Sequence, residues 1–568
     1  MRAFFTLVML SLLLSACGES GQESSALEPD EFADMIFVGG PIWTANDARP
    51  AVEAVAVRDG RIIHAGGEAA ARALAGEGTE IIDLHGAALY PGFVDAHVHL
   101  VGIGLRELTL NLDDVTSIEM LKDRLAGVVA EAEAGAQIIG RGWIGTHWPE
   151  ARFPTRDDLD SVSPDNPVIL RRADGHAVVV NTLALERAGI DAHTEPPFGG
   201  EILKDDNGRP TGMLIDRAMA LVGEAMDETG GPDARLALLT AGTLYTGLGW
   251  TGVHSMSVTP ANADLMAALA DAGALKLRVY NSIDGDDPAS LALLTDGPRA
   301  SANGRVVTRA IKLYMDGALG SRGALLLAPY NDAPGAGLQL SEKAAALSIM
   351  TGALRAGIQV NMHAIGDRGN RQLLDWVEEA FAQVPVAERA IAEPRWRDEH
   401  AQIINPADIP RFAALGVIPS MQPSHAIGDL FFAPARLGKD RLKGAYAWRS
   451  LIDAGSIIAG GSDAPVEKGD PRIEFYAAVA RKSLDGFSNE DWHPEEAVSR
   501  AEALKMFTAW PAYASFREDD LGSIEVGKRA DLTIFSGDIM TIPEAEILTV
   551  LPLMTVIEGE IVFRAEGF

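Results

Sequence analysis

The sequence predicts an α/β fold, a (β/α)8 barrel of the TIM type joined to a composite β-sandwich domain built from both termini. Eight short apolar segments alternate with helical stretches, which is the pattern of a parallel sheet with crossover helices. Short strand-like segments and glycine turns occupy both ends of the chain. A length of 568 residues allows one large domain and at least one smaller one.

The first 31 residues have the pattern of an export signal followed by a tether. Arg2 precedes an apolar run over residues 3–14 that is too short to span a membrane. Residues 1–17 resemble a bacterial lipoprotein signal peptide that ends at Cys17, and residues 18–31 form a mostly polar tether. This resemblance implies a lipidated Cys17 on an exported protein, anchored at the periplasmic face or the cell surface. An ordinary signal peptide is the alternative.

The two terminal blocks, residues 32–89 and 515–568, are expected to assemble into one small β domain because chain ends often lie close together. In the first block, residues 35–44 have the pattern of a hairpin around Gly39 and Gly40, and residues 54–65 repeat it around Asp59 and Gly60. In the second block, residues 527–535 and 556–563 have a similar strand pattern.

The middle of the chain, residues 90–514, is assigned to the barrel. The eight candidate strands are 94–100, 251–256, 276–282, 308–314, 358–363, 396–401, 416–421 and 456–462. The gap between the first two is too long for one crossover helix, and residues 135–230 are therefore assigned to an insertion over the barrel mouth. In a TIM barrel the chemistry lies at the carboxyl ends of the strands.

Composition excludes several classes of partner. A formal net charge of −32 argues against nucleic acid and against anionic membrane surfaces, which leaves the N-terminal lipid as the expected membrane contact. No internal segment is long and apolar enough to cross a bilayer. Cys17 is the only cysteine, which excludes internal disulfides and thiolate metal ligands.

Residues that can bind a metal follow several of the predicted strands. His97 and His99 alternate along the first strand and therefore share a face, with Asp95 available to orient a ligand. His363, His400 and Asp463 close strands five, six and eight. Each has a structural interpretation by itself, but imidazoles and carboxylates converging on one rim favour a divalent ion, zinc first and manganese or iron next.

Lys312 lies among apolar residues of the fourth strand, where a charge is costly to bury unless it is paired. It could form a structural ion pair, with Asp316 for example, or extend its charged end to solvent. The functional interpretation is that Lys312 reaches the metal centre, either carboxylated to form a bridging ligand or as a cation beside the ligands.

The order His-x-His, Lys, His, His, Asp along these strands resembles the amidohydrolase superfamily. Local motifs narrow the resemblance to its family 3 branch, which includes N-substituted formamide deformylase: PGFVDAHVHL, GGEILKDDNGRPTGML, IKLYMDGALGSRGALL, HAIGD, EHAQ, GGSDAPV and LGSIEVGKRADLTIF. The resemblance implies a barrel with a composite β-sandwich. It also implies one or two metal ions held by His97, His99, Lys312, His363, His400 and Asp463.

The expected function is metal-dependent hydrolysis of a non-peptide C–N bond in an amide-like small molecule. Asp463 is the candidate general base, which would take a proton from water and give it to the leaving amine.

Three residues are candidates for contact with substrate, each with a plain structural role as the alternative: His176, Arg322 and His425. Ester, lactone or dipeptide hydrolysis on the same centre, and a non-catalytic solute-binding lipoprotein, are the other functions considered. The sequence does not determine the oligomeric state, and a homodimer is one alternative to a monomer.

Overall fold

A computed structural model describes residues 32–145, 148–223 and 233–568, and its centre is an eight-stranded parallel barrel. Neighbouring strands pair in chain order, and the first and last strands meet through a parallel bridge between Val98 and Ala464. The barrel strands are Phe93–Val98, Trp250–Val258, Arg278–Asp284, Val306–Tyr314, Gln359–Ala364, Arg397–His400, Ile418–Met421 and Ala459–Gly460. Each overlaps one of the eight predicted segments, and the predicted fold class is confirmed.

Helices surround the barrel and cover its outer face. They are Leu100–Leu108, Ala234–Leu248, Pro260–Asp271, Leu293–Asp296, Lys343–Ala356, Asp367–Gln383, Ile409–Leu415, Pro423–Asp429, Ala433–Leu437, Trp448–Asp453, Pro471–Ala480, Arg500–Met506 and Ala509–Ala514. Their apolar faces and the strands form one large contiguous core. At its amino-terminal end, the ring of Phe93 stacks on Phe507 at 6.2 Å between centroids and meets Phe535 edge-on at 5.6 Å. The terminal domain and the barrel therefore share packing.

Strands from both ends of the chain pair in one six-stranded sheet. Leu532–Phe535 lies antiparallel to Ala88–Pro91, immediately before the first barrel strand. The sheet order is Glu560–Arg564, Pro552–Ile557, Leu532–Phe535, Ala88–Pro91, Ile42–Trp43 and Ala51–Val52. A second sheet uses N-terminal strands in the order Arg61–Gly66, Ala54–Arg58, Ala33–Val38 and Ala75–Asp83, next to the helix Glu68–Arg72.

The prediction of a hairpin over residues 35–44 is wrong. Ala33–Val38 pairs with Ala54–Arg58, whereas Ile42–Trp43 lies in the other sheet. The chain crosses between the sheets at Gly39 and Gly40, and a Cβ on Gly40 would lie 2.1 Å from the carbonyl oxygen of Ala87. Gly40 therefore permits a close backbone approach, and Gly39 adopts a positive φ of 82° that favours glycine. The predicted hairpin around Asp59 and Gly60 does form.

The insertion has its own sheet and core. Its six strands, in sheet order, are Gly200–Lys204, Pro210–Asp216, Ala177–Val180, Val168–Arg172, Ile138–Trp143 and Leu110–Asn111. The helices Ile118–Val129, Arg156–Asp160, Thr182–Arg187 and Ala220–Gly223 accompany it. This sheet begins at Leu110, upstream of residue 135, because the short parallel strand Leu110–Asn111 adds to its edge.

Residues 1–31, which include Cys17 and the tether, lie outside the described residues. Within the described ranges, no helix has the length and apolar character needed to cross a membrane.

Candidate metal centre

The residues predicted to bind metal lie around the carboxyl-terminal rim of the barrel. Ligand atoms of His97, His400 and Asp463 lie within 4.8 Å of one another. The Nε2 atom of His99 lies 3.2 Å from Oδ1 of Asp463, and the rings of His363 and His400 are 4.5 Å apart. Four barrel strands therefore bring five predicted ligands into one cluster, because parallel strands end at the same rim.

The atoms that face one another in this cluster fit a cation. Nε2 of His97, Nε2 of His363 and Oδ1 of Asp463 are buried and have no hydrogen-bond partner within the described parts of the chain. Buried polar atoms in folded proteins are normally paired, and such a group calls for an explanation. Imidazole nitrogens and a carboxylate oxygen together match the donors that zinc and similar divalent ions prefer.

Glu399, which the sequence analysis did not select, orients His97. The Nδ1 atom of His97 donates a hydrogen bond to Oε2 of Glu399 at 2.6 Å, which leaves Nε2 free to bind a metal. Arg397 holds the same carboxylate through Nε at 2.8 Å and Nη2 at 3.1 Å. All three side chains are fully buried. Because His97 and Glu399 are 302 residues apart, the only sequence signal was the position of Glu399 beside His400.

Gln422 and Asp95 fix two further parts of the cluster. The Nδ1 atom of His400 donates to Oε1 of Gln422 at 2.8 Å, which again directs Nε2 of the ring inward. The expectation that Asp95 orients a ligand ring needs correction. Its carboxylate accepts from the backbone N–H and the hydroxyl of Ser462, at 2.8 and 2.6 Å, and from the backbone N–H of His97 at 3.3 Å. Asp95 therefore ties the first strand to the last.

The protonation states of the cluster suit metal binding, which requires neutral imidazoles and an ionised carboxylate. Burial lowers the pKa of His97, His363 and His400 well below the usual value. Burial alone would raise the pKa of Asp463, but the contacts with His97 and His99 outweigh it and hold that pKa below the usual range. Both shifts favour the forms of these residues that bind a metal.

Lys312 is buried on the fourth strand, and its ammonium nitrogen lies 5.2 Å from the centre of the Tyr314 ring. Burial lowers the pKa of Lys312, and the negative charges of Glu399 and Asp463 oppose this shift. The side chain thus lies within the electrostatic reach of the cluster. A lowered pKa makes the amine easier to deprotonate, which carboxylation of a lysine requires.

Two of the three predicted substrate contacts lie beside the cluster. His176 comes from the insertion, and its ring is 5.0 Å from that of His363. Asp216, which sequence reasoning missed, accepts a hydrogen bond from Nδ1 of His176 at 2.6 Å. The Nε2 atom of His425 is 3.7 Å from Oδ2 of Asp463. Arg322, in contrast, forms an ion pair with Asp332 at 3.0 Å in the loop after the fourth strand.

Comparisons with known proteins agree with this geometry. The model of the family described as "Amidohydrolase family" matches residues 80–563. YtcJ from Bacillus subtilis (strain 168) is 34% identical over 542 residues, which cover 93% of this chain and 99% of that protein. The N-substituted formamide deformylase of Arthrobacter pascens is 29% identical over 553 residues, covering 94% and 99% of the two chains.

Among solved structures, an uncharacterized metal-dependent hydrolase from Pyrococcus horikoshii OT3 superposes with a TM-score of 0.72 and 26% identity, over 90% of this chain and 99% of that one. A second, from Pyrococcus furiosus, has a TM-score of 0.69 and 29% identity, over 89% and 100%. These neighbours and the clustered histidines support a hydrolase with a divalent metal. The family match covers most of the chain, and this protein therefore belongs to the amidohydrolase family.

Proposed function

We propose that this protein hydrolyses a non-peptide C–N bond in an amide-like small molecule, with a metal-activated water as the nucleophile. The observation that carries the proposal is the group of buried, unpaired ligand atoms of His97, His363 and Asp463 at the barrel rim. Similarity to an N-substituted formamide deformylase over nearly the whole chain supports the choice of bond.

His97, His400 and Asp463 would hold the ion, with His99, His363 and Lys312 completing the site for one or two ions. When bound, zinc, the first choice, would act as a Lewis acid that lowers the pKa of water and polarises the scissile carbonyl. Lys312 would serve either as a carboxylated bridging ligand or as a cation beside the ligands.

Asp463 would accept the proton of the attacking water and deliver it to the nitrogen of the leaving amine. Its Oδ1 faces His97 and His99, and its Oδ2 faces His425, so the carboxylate lies between the ligand rings of the first strand and His425. His176 donates from Nδ1 to Asp216. When its ring carries a proton on both nitrogens, Nε2 would donate a hydrogen bond to the carbonyl oxygen as negative charge develops there.

The substrate test is a hydrolysis screen on N-formyl, N-acyl and cyclic amides, esters, lactones and dipeptides, with metal content measured on the same sample. A stoichiometric divalent ion with turnover of a non-peptide amide supports the proposal. Preferred turnover of esters, lactones or dipeptides, or a protein without bound metal or turnover, would contradict it.

The base is tested with Asp463→Asn, which keeps the shape of the side chain. We expect the variant to retain metal and to lose turnover by at least about a hundredfold, the usual size of a general-base contribution. Asp453→Asn, at an exposed position on a neighbouring helix, is the matched control. Loss of metal together with activity would show instead that Asp463 is chiefly a ligand.

For location, we propose that the enzyme is exported and held at the cell envelope by a lipid on Cys17. The support is the position of the only cysteine, directly after a short apolar run. In this arrangement the tether of residues 18–31 would separate the barrel from the membrane surface.

A further inference from the structure

Two arginines of the insertion lie side by side on neighbouring strands. Arg141 of Ile138–Trp143 and Arg171 of Val168–Arg172 are register partners in the parallel pairing of those strands. Partner residues project from the same face of a sheet, so the two guanidinium groups share one face. Like charges placed opposite each other destabilise a sheet. The pair therefore costs stability unless something negative lies against it.

This face of the insertion is directed at the metal centre. The negative charge of Asp463 acts on Arg141, and Arg171 interacts with the phenol of Tyr314. The Tyr314 ring lies 5.9 Å from the ring of His363, one of the predicted metal ligands. Five residues after Arg171, His176 also approaches His363, which places the end of this strand over the barrel rim.

The two arginines differ in their exposure. Arg171 is exposed to solvent, and the protein atoms around it lower its pKa. Arg141 is half-buried, and burial together with the charge of Arg171 lowers its pKa to about 9.

No carboxylate of the described chain neutralises the pair. Arg171 has neither a side-chain hydrogen bond nor an ion pair within the described residues. Arg141 donates one hydrogen bond of 3.3 Å to the carbonyl oxygen of Ala173, and its buried Nε has no partner there. Asp463 and Asp113 act on Arg141 electrostatically, but neither forms an ion pair with it in the described residues, and Asp113 lies 3.8 Å from Nε of Arg106.

Several other arginines of the insertion have carboxylate partners, as expected in a chain with 80 acidic and 48 basic residues. Arg152 makes a two-pronged contact with Asp158 at 2.7 and 2.8 Å, and Arg209 bonds Asp205 at 2.9 Å. Arg187 donates to the backbone carbonyl oxygen of Gly135 at 3.3 Å and has no carboxylate partner in the described residues either. Arg141 and Arg171 differ from it in lying on the face directed at the metal centre.

We propose that Arg141 and Arg171 form a carboxylate-binding subsite, so that the amide hydrolysed at the metal centre belongs to a molecule that also bears a carboxylate, as in an N-acylated amino acid. This inference rests on the proposed function and names its substrate class. A guanidinium presents a planar pair of N–H donors that matches a carboxylate, which favours recognition by arginine. Two such groups would also attract an anion into a protein whose overall charge repels it.

The test compares matched compounds that differ only in the carboxylate, with binding measured by calorimetry on the metal-loaded full-length protein. One pair is N-formylphenylalanine and N-formylphenethylamine, and the acetyl and benzoyl derivatives form two further pairs. The variants are Arg171→Gln, Arg141→Gln and Arg171→Lys. Arg209→Gln, an exposed arginine of the same insertion, controls for the change in net charge.

We expect wild-type protein to bind the carboxylated member of at least one pair at least about tenfold more tightly, the size of one charge-assisted hydrogen bond. Arg171→Gln and Arg141→Gln should each abolish most of this preference, Arg171→Lys should restore part of it, and Arg209→Gln should leave it unchanged. Retained metal content and an unchanged melting temperature would show that the variants are folded.

Three outcomes would overturn the inference: no preference for a carboxylate in any pair, a preference that survives both glutamine substitutions, or equal loss in Arg209→Gln. Because binding is measured separately from turnover, the two proposals can fail independently. Turnover of neutral amides without a preference for the carboxylate would contradict the proposed subsite but not the proposed hydrolase activity. Binding that depends on the two arginines, without turnover, would contradict the hydrolase activity but not the subsite.

Discussion

At the scale of single residues, the cluster depends on side chains that do not themselves face the metal position. Glu399 and Gln422 each accept the Nδ1 proton of a ligand histidine, and both therefore select the tautomer with a free Nε2. Arg397 compensates the buried charge of Glu399 and donates to Ser420 and to the backbone of Ala96. The ligand geometry is thus connected to the interior of the barrel.

Glu399→Gln tests this support. The amide keeps the shape but removes the negative charge that stabilises the orientation of His97. We expect metal affinity to fall about 10- to 100-fold, as is typical when such a partner of a ligand histidine is changed. Metal retention against a graded series of chelator measures the effect, with the exposed Glu388→Gln as control. Retention equal to wild type would show that Glu399 does not support the ligand.

Asp429 gives a prediction about pH. This half-buried carboxyl accepts hydrogen bonds from Gln402 and Tyr446, both at 2.6 Å, and the surrounding protein raises its pKa to about 7. Because the unfolded value is about 3.9, the folded state binds the proton more strongly between these two pH values. The contribution of Asp429 to stability is therefore complete below pH 4 and is lost as the pH rises through 7.

We expect Asp429→Asn to remove this part of the pH dependence. The thermal unfolding midpoint of the variant should change less between pH 5 and pH 8 than that of wild type, measured in the same buffers. Asp453→Asn, which changes an exposed aspartate, should follow the wild-type profile. An Asp429→Asn profile parallel to wild type would contradict the assignment.

At the scale of elements, the barrel strands have two structural roles. Their carboxyl ends present the ligands, and their amino ends attach the barrel to the composite domain. Arg278, at the start of the third barrel strand, donates to both oxygens of Asp531 at 2.5 and 3.0 Å, and both side chains are buried. The backbone carbonyl of Asp531 also accepts from Gly92, directly before the first barrel strand.

Asp531→Ala should therefore destabilise the junction strongly. Removing the carboxylate leaves the buried guanidinium of Arg278 without its main partner, which costs about 3–5 kcal/mol in comparable pairs. A clear fall in the thermal unfolding midpoint is the expected readout, with a smaller fall in Asp531→Asn. Glu566→Ala, at an exposed site near the C-terminus, is the control. A midpoint within one degree of wild type would contradict this role of the ion pair.

At the scale of the whole molecule, the barrel and the insertion meet at the rim that carries the ligands, and the composite sheet packs at the other end of the barrel. The barrel supplies the predicted metal ligands, the insertion adds His176 and the two arginines, and the composite sheet ties both chain ends to the opposite side of the barrel. Because the C-terminal strand Leu532–Phe535 pairs directly before the first barrel strand, the positions of His97 and His99 depend on residues more than 400 positions later.

The anchoring of the whole molecule is tested with Cys17→Ser. If Cys17 carries the lipid, wild-type protein should sediment with membranes and incorporate a labelled fatty acid, whereas the variant should do neither. Ser24→Ala, in the tether, should behave like wild type. Sedimentation and labelling of Cys17→Ser at the wild-type level would rule out lipidation at this position.

Much of this architecture could be predicted because it depends on local pattern. The apolar segments and the helices between them determine the barrel class, and the position of each polar residue at a strand end determines which rim it occupies. His97, His99, His363, His400 and Asp463 were therefore selected from sequence, and the structure places them together. The hairpin at residues 35–44 failed because local turn signals do not reveal when a chain changes sheets.

Tertiary structure determines the roles of Glu399, Asp216 and the Arg141–Arg171 pair. Each acquires its role from a contact with a different strand, at separations of 302, 40 and 30 residues. Such contacts depend on strand order, on register and on the placement of the insertion over the barrel. Sequence alone determined the repeating pattern of this protein and the chemistry available at its strand ends, because both are local properties. Only the tertiary structure decided which acid orients which histidine and which arginines are left without an acid, because these contacts join residues that are distant in the chain.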